Sequence, residues 1–88
     1  MNTTIENLKK RIIYRSQYRG TKEMDKLLSA FVLKHVENFN RTQLLKLEKF
    51  LDIDDENLYK LYNGTESEKI LADAEIINLF KNFKFNQL

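Results

Sequence analysis

Apolar residues recur at helical spacing in five stretches of the chain, with polar residues between them. In the first, Ile5, Leu8, Ile12 and Ile13 stand among Lys and Arg, which predicts an amphipathic helix from about Thr4 to Tyr18. The second carries Met24, Leu27, Leu28, Phe31, Val32, His35 and Phe39 over about Thr21 to Asn38. Its 3.6-residue pattern is the clearest in the chain, so it is expected to form the spine of the core. Asn40, with Gln43 three residues on, is a capping-box arrangement that opens a third helix burying Leu44, Leu47, Phe50 and Leu51. Asp54 or Asp55 caps a short fourth helix that carries Leu58, Leu61 and Tyr62 inward and ends at Asn63-Gly64, a left-handed C-cap. Thr65 to Lys69 reads as a polar loop. Asp73 caps a fifth helix with Ile76, Ile77, Phe80 and Phe83 on its apolar side, and the tail Asn86-Gln87-Leu88 is expected to fray.

The corner between the first two helices is Arg19-Gly20-Thr21-Lys22-Glu23-Met24-Asp25. Gly20 can leave the first helix in a left-handed conformation at no steric cost. Thr21, or Gly20 itself, can cap the second helix, and Glu23 in its first turn is favoured by the helix dipole. On residue types alone this is an ordinary helix–turn–helix corner.

Composition narrows the fold. The chain has 88 residues, enough for one core, with 42% hydrophobic and 32% charged residues, no proline and two glycines. A single all-α domain over residues 1–88, a compact five-helix bundle, is the expected architecture. Lacking cysteine, the chain can hold no disulfide, thiolate metal site or cysteine nucleophile. No run approaches the roughly 18–20 apolar residues of a membrane span. The start, Met1-Asn2-Thr3-Thr4-Ile5-Glu6, has neither a signal-peptide core nor an Arg-rich presequence. Abundant Asn, Lys and Ile suggests an AT-rich genome. Together these make a bacterial cytosol the expected compartment, in preference to a mitochondrial matrix.

Charge is uneven. Residues 5–26 hold seven Lys/Arg against three Asp/Glu, and residues 27–88 hold eight against ten. The basic stripe Lys9, Lys10, Arg11, Arg15, Arg19 and Lys22 could meet an acidic partner or phosphates, or simply be a solvated helix face. His35, the sole histidine, has no companion that the sequence places beside it, so it is read as structural or exposed. The acids Asp52, Asp54, Asp55 and Glu56 lack the glycine and glutamate spacing of a calcium loop and read as caps and solvated surface. With no phosphate-cradling glycine loop and no nucleophile–base pair, the chain is read as a binding protein, not an enzyme.

The corner carries more than caps. Arg19-Gly20-x-x-Glu23-x-Asp25, about twenty residues into a short helical chain, resembles the signature of the SdhE family, the flavinylation factors of succinate dehydrogenase, called assembly factor two in mitochondria. Two further blocks follow in the family's order. Leu51-Asp52-Ile53-Asp54-Asp55-Glu56-Asn57-Leu58-Tyr59 is similar to its leucine, acidic cluster and leucine–aromatic pattern, and Ala72-Asp73-Ala74-Glu75 to the start of its last helix. The resemblance runs roughly from Arg11 to Phe80. It departs in the fourth helix, where Leu61 stands in place of a common tryptophan, and in Lys81-Asn82-Phe83-Lys84-Phe85, which has no counterpart.

The resemblance implies a helical bundle that acts as a dedicated chaperone for the flavoprotein subunit of succinate dehydrogenase, with fumarate reductase a further client. It would favour covalent attachment of FAD to that subunit while holding no cofactor or metal of its own, as a monomer when free, with no nucleic acid or membrane as partner. Carried over by motif, the partner-binding residues are Arg19, Gly20, Glu23 and Asp25, with Arg15 and Lys22 as a rim. Two other classes compete: a small nucleic-acid-binding helical domain, supported by the basic first helix, and a generic helical interaction module. Against the first, Glu23 and Asp25 would repel phosphates.

Overall fold

Each predicted helix starts where the sequence supplies a side-chain oxygen at its N-cap. The computed structural model describes residues 4–64 and 73–84. Helix α1 (Ile5–Gln17) begins with Thr4, whose hydroxyl accepts the Asn7 N–H at 3.1 Å. Helix α2 (Lys22–His35) begins with Thr21, whose hydroxyl accepts the Met24 N–H at 3.2 Å. Thr21, not Gly20, is therefore the cap. Asn40 and Gln43 exchange side-chain-to-backbone hydrogen bonds at 2.9 Å each and open α3 (Arg41–Phe50). Asp73 accepts the Glu75 N–H at 2.9 Å at the head of α5 (Ala74–Lys81). Asp54 holds the N-cap position of α4 (Asp55–Tyr62), but its carboxylate takes the Asn57 side-chain amide at 2.6 Å instead of a backbone N–H.

The ends differ from expectation by a few residues. Helix α1 stops at Gln17, and Tyr18 is its C-cap. Helix α2 tightens at His35 into a 3₁₀ turn, Val36–Asn38, a common way to close a helix whose last carbonyls lack partners. Asn63-Gly64 closes α4 as expected, with Gly64 at φ +82°. The loop expected over Thr65 to Lys69 and the tail Asn86-Gln87-Leu88 lie outside the described residues.

Helices α1 and α2 pack on each other around the corner, α3 packs on α1, and α4 packs chiefly against α5. The radius of gyration is 12.5 Å, close to the ~12 Å expected of a compact chain of this length. The spine expectation for α2 holds: Met24, Leu27, Leu28, Phe31 and Val32 are fully enclosed. Phe31 is the hub, with the rings of Phe80, Phe83 and Phe50 centred 5.2, 5.5 and 6.1 Å away. Burying each such side chain contributes about 1.5–3 kcal/mol.

Burial departs from the simple apolar pattern at three residues. Ile5, in the first turn of α1, is 40% exposed, whereas Leu8 and Ile12 further along the helix are buried. Phe83 is buried but lies beyond the end of α5, folded back onto Phe31. Ser16, a polar residue outside the apolar pattern of α1, is wholly buried, and its hydroxyl donates to the Ile13 carbonyl at 2.7 Å.

Candidate functional site

The corner residues part into two groups. Gly20, Thr21, Lys22 and Glu23 are exposed, whereas Arg19 and Asp25 turn inward. Gly20 has φ +136°, which L side chains rarely adopt; a Cβ placed there would meet nothing closer than Asp55 Oδ2 at 3.8 Å. The glycine is thus required by the backbone, and its outward side is open.

Arg19 has a single neighbourhood and fills it. Its side chain is 11% exposed, and Nε donates to Asp55 Oδ1 at 3.0 Å. Its two terminal nitrogens donate to the carbonyls of Leu51 and Ile53. Those carbonyls lie at and just past the C-terminal end of α3, where helical partners run out, and a planar guanidinium can serve both while pairing with a carboxylate. The backbone N–H of Arg19 donates to Asp25 Oδ1 at 2.6 Å. One residue therefore joins the end of α3, the first residue of α4 and the first turn of α2.

The rest of the basic stripe is arranged in the same manner. Arg15 Nη2 donates to Asp52 Oδ1 at 2.5 Å and Nη1 to the Glu48 carbonyl at 3.4 Å. Arg11 grips Glu48 with two nitrogens, at 2.5 and 3.2 Å. That hydrogen bond first, and the Glu48 charge second, push the Arg11 guanidinium above its ordinary pKa. Lys9 reaches Glu37 at 3.2 Å. Arginines four apart on α1 and its C-terminal corner meet acids three or four apart along α3 and the α3–α4 junction, so the acidic partner of the stripe's three arginines and Lys9 is the chain itself. This removes the main support for a nucleic-acid reading, because arginines held by carboxylates are not free for phosphates. Lys22 and Lys10 make no such pair among the described residues.

Glu23 stands at the mouth of a cleft of about 220 Å³ whose other walls are Leu27 of α2 and Tyr59, Tyr62 and Asn63 of α4 and its cap. Among the described residues its carboxylate has no cation and no donor, unlike Asp25, Asp52 and Asp55. An exposed carboxylate beside half-buried tyrosines is suited to receive a donor from another molecule. Of the six residues expected to meet a partner, then, Gly20, Lys22 and Glu23 share the open surface, while Arg15, Arg19 and Asp25 are engaged internally. The acids Glu48, Asp52 and Asp55 and the wall residues Tyr59 and Tyr62 were not foreseen as part of the site. Among the described residues, no group of His, Asp and Glu is arranged to hold a metal ion, and no helix is long and apolar enough to cross a membrane.

A sequence profile described as flavinator of succinate dehydrogenase matches residues 10–84, nearly the whole chain and the whole of the corner. The chain belongs to this flavinator family. Among curated proteins, the mitochondrial succinate dehydrogenase assembly factor 2 of the yeast Meyerozyma guilliermondii is 33% identical over 88 residues, covering 96% of this chain and 65% of the relative. Assembly factor 2-B of Drosophila melanogaster, also named mitochondrial, is 33% identical over 79 residues, covering 88% of this chain and 51% of the relative. That of Drosophila willistoni is 33% identical over 85 residues, covering 94% and 54%. The chain thus spans between about half and two-thirds of the length of these relatives. No solved structure matches it.

These flavinator relatives overturn the expected bacterial cytosol, since the assembly factors that the chain resembles are named mitochondrial and come from yeast and flies. The expectation had rested on base composition, which reports a genome and not a compartment, and on the first six residues. In a chain that spans only part of its relatives, those residues say nothing about targeting.

Proposed function

We propose that this flavinator-family chain binds the flavoprotein subunit of succinate dehydrogenase and promotes the covalent attachment of FAD to it, with the flavoprotein of fumarate reductase as a further client. The observation that carries the reading is family membership across the corner, joined to an exposed Glu23 that has no partner among the described residues, beside an open Gly20. In this reading the bond is made by the flavoprotein's own groups. The helper is non-catalytic, holds no cofactor and acts as a monomer when free. Its contribution is conformational: binding favours the arrangement of the client in which flavin and acceptor side chain meet at attack distance. Such positioning can remove several kcal/mol from a barrier without a reacting group in the helper.

Gly20, Lys22 and Glu23 make the contact, and Arg15, Arg19 and Asp25 hold it in shape. The test is co-expression with the same organism's succinate dehydrogenase flavoprotein, scored by flavin fluorescence of the denatured subunit on a gel. Covalent flavin should rise with the wild-type chain and fall back with Glu23→Ala, whose circular dichroism and melting remain those of the wild type. Equal fluorescence with and without the chain, and no complex on co-purification, would defeat the reading.

A further inference from the structure

Helices α2 and α4 form the two walls of the cleft at Glu23, yet among the described residues no hydrogen bond or ion pair joins a side chain of α2 to α4. Apart from apolar packing, the polar link between them runs through Arg19. Its backbone N–H is held by Asp25 in the first turn of α2, and its guanidinium by Asp55, the first residue of α4. On α4, Asp55, Tyr59 and Tyr62 are four and three residues apart and so lie along one face of the helix. On α2, Glu23 and Leu27 are likewise four apart. A grip on Asp55 therefore fixes the rotation and approach of the face that carries Tyr59 and Tyr62, opposite Glu23 and Leu27.

We propose that Arg19 and Asp55 are positioning residues of the docking surface: by clamping the head of α4 to the head of α2 they set the placement of Glu23 against the tyrosine wall that a partner must meet. This rests on the docking role given above to Glu23. Arg19 touches no partner in this scheme; it acts through Glu23. The fork geometry matters, because a lysine ammonium at position 19 cannot serve Asp55 and both carbonyls at once.

The experiment measures binding to the cofactor-free flavoprotein subunit of the same organism's succinate dehydrogenase by titration calorimetry. It uses the wild-type chain, Asp55→Asn, Arg19→Lys, Glu23→Ala and the double variant Asp55→Asn/Glu23→Ala, with Glu37→Gln as the control that breaks the Lys9–Glu37 ion pair, which belongs to neither the corner nor the cleft. Each variant's thermal midpoint is recorded alongside. Asp55→Asn and Arg19→Lys should each weaken binding about tenfold with midpoints within about 5 °C of wild type. Glu37→Gln should bind as wild type does. In the Glu23→Ala background, Asp55→Asn should cause no further weakening, since a residue acting through Glu23 has nothing left to position. Full additivity in the double variant, wild-type affinity in Asp55→Asn, or loss of the folded state in both Asp55→Asn and Arg19→Lys would each overturn the proposal. Wild-type affinity in Glu23→Ala would instead remove the docking role of Glu23, and the positioning role with it.

Discussion

Asp25 Oδ1 accepts the backbone N–H of Arg19 at 2.6 Å, and this bond closes the corner on itself. A motif acid that reads as a partner contact is thus spent within the chain. Asp25→Ala leaves a half-buried N–H without its acceptor, which costs about 1–3 kcal/mol. In a domain of this size each kcal/mol lowers the thermal midpoint by about 4–8 °C. Asp25→Asn, which keeps an acceptor oxygen, should recover most of that loss. Thermal unfolding followed by circular dichroism decides it: an unchanged midpoint in Asp25→Ala, with partner binding gone, would return Asp25 to the contact surface.

Gly20 separates backbone strain from partner contact. Alanine and leucine at position 20 share the cost of φ +136°, of order 1–3 kcal/mol, and the Cβ of either meets only Asp55 Oδ2, at an ordinary contact of 3.8 Å. Their midpoints should fall together. Covalent flavinylation of the client should not, because only leucine projects far into the space a partner would occupy. Gly20→Ala should retain measurable flavinylation and Gly20→Leu should lose it. Equal activities at equal stability would mean that the open side of Gly20 faces solvent in the complex.

The elements were legible because their signals are local. Thr21, the Asn40–Gln43 capping box and Asp73 all cap where the sequence places caps, since an N-cap bond spans two or three residues. The Arg15–Asp52, Arg11–Glu48 and Arg19–Asp55 pairs span 36 or 37 residues, and nothing along the chain states which of several acids will face which arginine. For that reason the basic stripe looked available to an outside partner. Ser16 was missed on similar grounds: a hydroxyl that donates to its own helix can be buried at little cost, and polarity alone hides it. The corner itself was legible as a motif, but its division into outward and inward residues needed the third and fourth helices in place.

Phe31 and Leu33 sit two residues apart on α2 and should behave oppositely. Phe31 is fully buried against Phe50, Phe80 and Phe83, whereas Leu33 is 54% exposed. Phe31→Ala should cost about 3–5 kcal/mol, enough to threaten a small domain's whole stability, and Leu28→Ala about 2–5 kcal/mol. Leu33→Ala should stay within about 0.5 kcal/mol of wild type. Urea denaturation measures all three, and comparable losses at Phe31 and Leu33 would show that α2 is rotated from the orientation described.

His35 gives the fold a pH dependence of predictable sign. Its ring lies edge-on to Phe31 at 5.0 Å and stacked on Phe39 at 5.5 Å. Burial first, and the neighbouring Lys34 charge second, lower its pKa from the ordinary 6.5. The folded chain therefore binds this proton less readily than the unfolded chain does. The stability contributed by the neutral ring is complete above about pH 6.5 and is lost as pH falls through that value. Between about pH 7.5 and pH 5 the wild-type midpoint should fall more steeply than that of His35→Gln, which cannot titrate. The slopes, not the absolute midpoints, carry the comparison, because glutamine also forfeits the ring contacts. Parallel slopes would mean that the imidazole is as well solvated in the folded state as in the unfolded one, and that its place between two phenylalanines is a matter of shape alone.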